Sequence, residues 1–152
     1  MKQYANLQQF ILNYDENTSI KLILDTLTNF ADEISAIDKS RIYINLAFLY
    51  ESNDEEKNCL YYLEEAIKLN PHMAVAYNEL GRIRMENNII EDNLNLFEKA
   101  YSLSSKMKYQ YNYAVALFQH GYILKSKVLF EGLLPKYQDA RRVLYGYGVC
   151  CF

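Results

Sequence analysis

Residues 41–71 read RIYINLAFLYESNDEEKNCLYYLEEAIKLNP, and residues 75–105 read VAYNELGRIRMENNIIEDNLNLFEKAYSLSS. Laid over one another at an offset of 34, the two stretches carry one pattern. Tyr43, Leu46, Ala47 and Tyr50 are answered by Tyr77, Leu80, Gly81 and Arg84, and Cys59, Leu63 and Ala66 by Asn93, Phe97 and Ala100. Spacings of three, four and seven put each set on one face of a helix. Polar breaks, Ser52-Asn53-Asp54 and then Glu86-Asn87-Asn88, divide each copy into two helices, so the unit is a helix-turn-helix repeated at a fixed period. The small residues have a mechanical part. Ala47, Cys59, Ala66, Gly81 and Ala100 stand where two helices approach closely, and a large side chain there forces the backbones apart. Asn93 departs from this rule and is expected to loosen the packing around it.

Outward from this core the pattern weakens but continues. A third copy starts one residue early, with a helix from about Lys108 to Gln119, a turn at His120-Gly121, and a helix from about Ile123 to Leu134 that Pro135 ends or kinks. Tyr113, Ala114, Leu117, Ser126 and Phe130 restore the large and small positions. Ala140 to Phe152 reads as one more helix, half a repeat. Upstream, Tyr4, Leu7, Ile11 and Tyr14 mark a short helix, and a second runs from about Ser19 to Ile37 with Ile20, Ile23, Leu24, Leu27, Ala31 and Ile34 on one face. The layout is one domain over 1–152: a degenerate helical pair at 1–37, repeats at 38–72 and 73–105, a divergent repeat at 106–139 and a terminal helix at 140–152.

A 34-residue helix-turn-helix with these residues resembles the tetratricopeptide repeat (TPR) family. The resemblance implies an all-α fold, a right-handed α-solenoid of antiparallel helix pairs. It implies a non-catalytic protein-binding module, in which the first helix of each repeat lines a concave groove that takes a segment of another protein. The residues at those inward positions are Arg41, Ile44 and Phe48 in the first clear repeat, and Val75, Asn78, Arg82 and Met85 in the second. Lys108, Tyr111, Val115 and Phe118 follow in the third, then Arg142, Tyr145 and Val149 in the last helix. Inward and core faces adjoin on a helix, so the other reading of Ile44, Phe48, Val115 and Phe118 is that they fill the core. One subclass grips a carboxylate with Lys and Asn on three successive first helices; Ile44, Phe48 and Glu79 stand where three of those groups belong and only Lys108 fits, which disfavours that function. In size and layout the chain looks like the small bacterial TPR chaperones, or equally like an inhibitor of the immunity type that occludes its partner; the alternative of another class is a self-assembling structural subunit.

Composition narrows the rest. Sixteen Lys and Arg against nineteen Asp and Glu give a net charge of −3, and no basic run exceeds Arg141-Arg142, which argues against nucleic acid. No apolar run has the length of a signal peptide core or a membrane span, and three cysteines do not make a secreted framework, so a cytoplasmic protein is expected. His72 and His120 fall at turns without metal-ligand neighbours, and the acids Asp54, Glu55, Glu56, Glu64 and Glu65 suit a helix N-terminus and its outer face. No phosphate loop and no nucleophile with a base is present, so neither enzyme activity, cofactor nor metal is expected. From Val143 to Phe152 every residue is apolar, aromatic, Gly or Cys, which predicts an uncovered patch of Leu144, Tyr145, Tyr147, Val149 and Phe152 and a homodimer or partner contact through this helix.

Overall fold

The computed structural model describes residues 20–87, 89, 92–136 and 141–151. The helix expected over Tyr4–Tyr14 lies outside them, as do Asn88 and Phe152. Among the described residues all regular structure is helical: α1 (Ile20–Asn29), α2 (Ala36–Ser52), α3 (Glu56–Leu69), α4 (Ala74–Glu86), α5 (Asn93–Leu103), α6 (Met107–Gln119), α7 (Ile123–Leu133), a short 3-10 turn at Leu134–Lys136, and α8 (Arg141–Val149). The chain forms two compact units, Met1–Ala76 and Tyr77–Phe152, and the division falls inside α4.

Most helix ends follow the residues that punctuate the sequence. α3 stops at Leu69 because Asn70 turns to an extended conformation ahead of Pro71, and the Asn70 side chain accepts from the His72 amide at 3.2 Å. Asp54 closes the first turn with φ 58 and Gly121 the third with φ 80, both in the left-handed region that short polar side chains and glycine tolerate best. One boundary differs from expectation. The helix expected to run from Ser19 to Ile37 ends at Asn29, and a new helix begins at Ala36. The reason is local: the Ser35 hydroxyl accepts from the Asp38 amide at 3.1 Å while donating to the Asp38 carboxylate at 2.7 Å, a reciprocal cap that starts α2 two residues before the expected Asp38.

In the first unit α2 and α3 pack as an antiparallel pair around Leu46, Ala47, Cys59, Leu63 and Ala66, all buried. A tyrosine group closes one flank: Tyr62 stacks on Tyr50 with ring centres 5.4 Å apart and meets the edge of Tyr43 at 5.3 Å. Burial there, reinforced by Tyr50 and Tyr43, pushes the Tyr62 phenol up to about 12.

In the second unit the small positions are filled as tightly as the sequence implied. A Cβ at Gly81 would lie 3.0 to 3.2 Å from the Phe97 ring, and Phe97 is fully buried. A Cβ at Gly146 on α8 would lie 2.5 Å from the Phe130 ring, so this glycine is what lets α8 rest on α7. Ala114, Phe130, Leu133, Val143 and Cys150 form the buried cluster between α6, α7 and α8. Ser126, also fully buried, donates from its hydroxyl to the Ala114 carbonyl at 2.7 Å. Asn93, at the same repeat position one copy earlier, donates to the Ile89 carbonyl at 2.6 Å but leaves its side-chain oxygen buried without a partner.

Candidate partner-binding face

The residues expected to face a partner separate into three groups. The first packs into the core. Ile44 is 5% exposed and packs with Ala66 and Ala76, so it belongs to the core, and Asn78 is fully buried. For these two the inward reading is corrected: a helix turns the core and the inward face only some tens of degrees apart, and a side chain at the border goes to whichever neighbour is nearer. Val75, partly buried, packs against the same cluster as Ile44.

The second group is polar and internally paired. Within the second unit the Glu79 carboxylate, only 5% exposed, collects three donors: Lys108 Nζ at 2.7 Å, Arg82 Nε at 2.8 Å and Asn78 Nδ2 at 2.9 Å. Arg82 then reaches both oxygens of Glu86 at 2.9 Å, and Asn112 Nδ2 donates to Asn78 Oδ1 at 2.7 Å. Burial alone raises the Glu79 carboxyl, but hydrogen bonds from Lys108, Arg82 and Asn78 outweigh it and hold the group below the usual carboxylate range. Among the described residues the network ties α4 to α6 with two cations, Arg82 and Lys108, against two carboxylates, Glu79 and Glu86.

The third group is apolar and partly open. Tyr111, Val115 and Phe118 lie on one face of α6, all half-buried against the Phe130 cluster, and the Tyr111 ring meets Phe130 edge-on with centres 5.8 Å apart. On α8, Tyr145 is 77% and Leu144 54% exposed, while Val143 beside them enters the same cluster. Arg142 is exposed, Met85 partly buried and Phe48, in the first unit, 38% exposed. Arg41 is exposed and pairs with Asp38 at 3.3 Å.

Two features went unread in the sequence. In the sequence Glu79 stands out only as a misfit, although Glu79, Arg82 and Glu86 share a helix face and Asn112 stands 34 residues after Asn78, an interval that signals contact between neighbouring repeats. The other is an apolar depression of about 390 Å³ on a different side of α6 and α7, lined by Tyr113, Leu117, Leu124, Lys125, Val128 and Leu129. Among the described residues no three His, Cys, Asp or Glu side chains gather as metal ligands, and no helix is long and apolar enough to cross a membrane.

Paired helices with small residues at their contacts, repeated at a fixed period, define the class: an all-α helical repeat with the TPR fold. Among solved structures the chain is similar to YrrB, described as a TPR protein with an unusual peptide-binding site, at a TM-score of 0.70 and 19% identity over 82% of this chain. It spans 63% of that protein, less than two thirds of its length. It is also similar to the TPR-like repeats of a putative kinesin light chain of Podosopora anserina, at a TM-score of 0.63 and 15% identity, over 95% of this chain and 80% of that one. No protein-family model matches the chain, and no curated protein sequence does.

Proposed function

We propose that the chain is a non-catalytic interaction module that receives a segment of another protein against the α6 face of Tyr111, Val115 and Phe118, with Tyr145 of α8 as a further contact. The observation that carries this reading is the half-open aromatic strip itself. Contiguous apolar surface of this kind is what soluble chains keep for a partner, and rigid aromatic side chains make efficient anchors. A protein of similar fold being described as having a peptide-binding site adds support. Phe48, Met85 and Arg142 are proposed as outer contacts, Arg41 as a rim contact, and Arg82 and Lys108 as groups that shape the face. The working role is a small cytoplasmic chaperone or adaptor; the alternative within the same reading is an inhibitor that occludes its partner. Neither nucleic acid nor membrane is a proposed partner.

Cross-linked affinity purification with mass spectrometry tests the reading. A discrete polypeptide should be recovered, and Tyr111→Ala and Phe118→Ala should each weaken its binding by about 2 kcal/mol with helicity intact. Unchanged affinity in both variants would remove the α6 face from the interaction. Exposed Leu144 and Tyr145 favour a second reading, association of two copies through α8. Light scattering over a dilution series decides it: a monomer at every concentration excludes this pairing.

A further inference from the structure

Three donors on two helices converge on one carboxylate: Lys108 Nζ, Arg82 Nε and Asn78 Nδ2 all reach Glu79, whose side chain is 5% exposed. A converging set of an ammonium, a guanidinium and an amide is the arrangement that recognises an anion, because each donates a hydrogen bond and two carry positive charge. Here the anion is supplied by the chain. We infer that Glu79 is an internal ligand that sets the specificity of this face: it fills an anion site and thereby directs the face to segments without a carboxylate at that point. This rests on the proposed binding role of the α6 face. The physics follows from the charge count. Among the described residues Glu79 and Glu86 already balance Arg82 and Lys108, so an incoming carboxylate finds no net positive charge in this network to offset the loss of its own water. Lys108, 59% exposed, is the member an outside group would meet first, yet its ammonium is held at 2.7 Å by Glu79. The ligand segment that fits is therefore neutral next to Lys108 and apolar where it meets Tyr111, Val115 and Phe118.

Removing the internal carboxylate should uncover the site, which can be tested without knowing the partner. Acetate is titrated into the parent chain and into Glu79→Ala, with acetamide as the neutral control, following the Arg82 Nε–H signal by NMR. The expected result is a saturable shift with acetate in Glu79→Ala, roughly tenfold or more tighter than in the parent, and none with acetamide. Glu79→Gln, which removes the charge but keeps an acceptor in place, should bind acetate more weakly than Glu79→Ala. Should Glu79→Ala fail to fold, Glu79→Ser leaves a small hydroxyl beside Asn78 and serves the same titration. A folded Glu79→Ala or Glu79→Ser that ignores acetate, or a parent that responds equally, overturns the inference. Neither outcome depends on Tyr111 or Phe118, so the binding role of that strip stands or falls separately.

Discussion

Helix α6 meets α4 and the α7–α8 pair by opposite means. Toward α4 the contact is polar and saturated: Lys108 and Asn112 reach Glu79 and Asn78, and every bond is specific in direction. Toward α7 and α8 the contact is apolar and tight, with the Phe130 ring filling the space left by Gly146 and buried Ser126 bonded to Ala114. Directional bonds define which residue faces which, since their net worth in water is small but their loss when buried is not. Close packing supplies the stability and tolerates almost no added volume. The half-open strip of Tyr111, Val115 and Phe118 sits where the two regimes meet.

The contrast can be broken most severely from the packed side. Gly146→Val puts new carbon atoms against a buried Phe130 and should cost about 3 kcal/mol, at the upper end of overpacking effects, read as a lower urea midpoint with α8 resonances lost first. The polar side comes next. Glu79→Ala leaves the buried Asn78 amide without its acceptor and takes one partner from Arg82, and should cost about 2 kcal/mol, whereas Lys108→Met should cost less because Lys108 is mostly exposed and Arg82 still serves Glu79. Acid sharpens the point. Glu79, paired with Arg82 and Lys108 and with Glu86 beyond, has its carboxyl held low in the fold, so its contribution is full above the unfolded carboxylate range near 4.3 and lost as pH falls through the lower folded value. A Glu79→Gln chain should show a flatter stability profile below pH 4 or so. If its acid midpoint matches the parent, the network has been given too large a part.

Smaller effects separate the repeat copies. Gly81→Ala asks the buried Phe97 ring to yield a few tenths of an ångström and should cost about 1 kcal/mol by thermal unfolding. Asn93→Ala removes a buried oxygen with no partner along with one hydrogen bond, and the two losses should leave stability within about 0.5 kcal/mol. A large destabilisation there would mean that Asn93 has a partner its surroundings do not reveal.

The fold was legible because the repeat dictates it. Ala47, Cys59, Ala66, Gly81 and Ala100 mark helix contacts at a fixed period, and all five are buried at those contacts. What stayed hidden depended on distances within a turn of helix. Ser35 starts α2 through a side-chain cap that hydrophobic periodicity does not register, because Ile34 and Ile37 continue the apolar stripe across the break. Ile44 and Asn78 sat on the border between inward and core faces, and periodicity of 3.6 does not resolve which way such a border residue turns. Glu79 looked like an intruder at a cationic position; only the approach of Lys108 across 29 residues turns the intruder into the centre of a network.

The central claim is that the α6 strip receives the partner. Site-specific photo-cross-linking tests it directly, with the photoreactive group at Phe118 in one protein and at Leu124, on the other side of the α6–α7 pair, in a second. A cross-linked polypeptide is expected from position 118, none from position 124, and loss of the 118 product in a Tyr111→Ala background. Cross-linking at 124 alone would contradict it and move the binding surface to the depression between Tyr113, Leu117 and Val128.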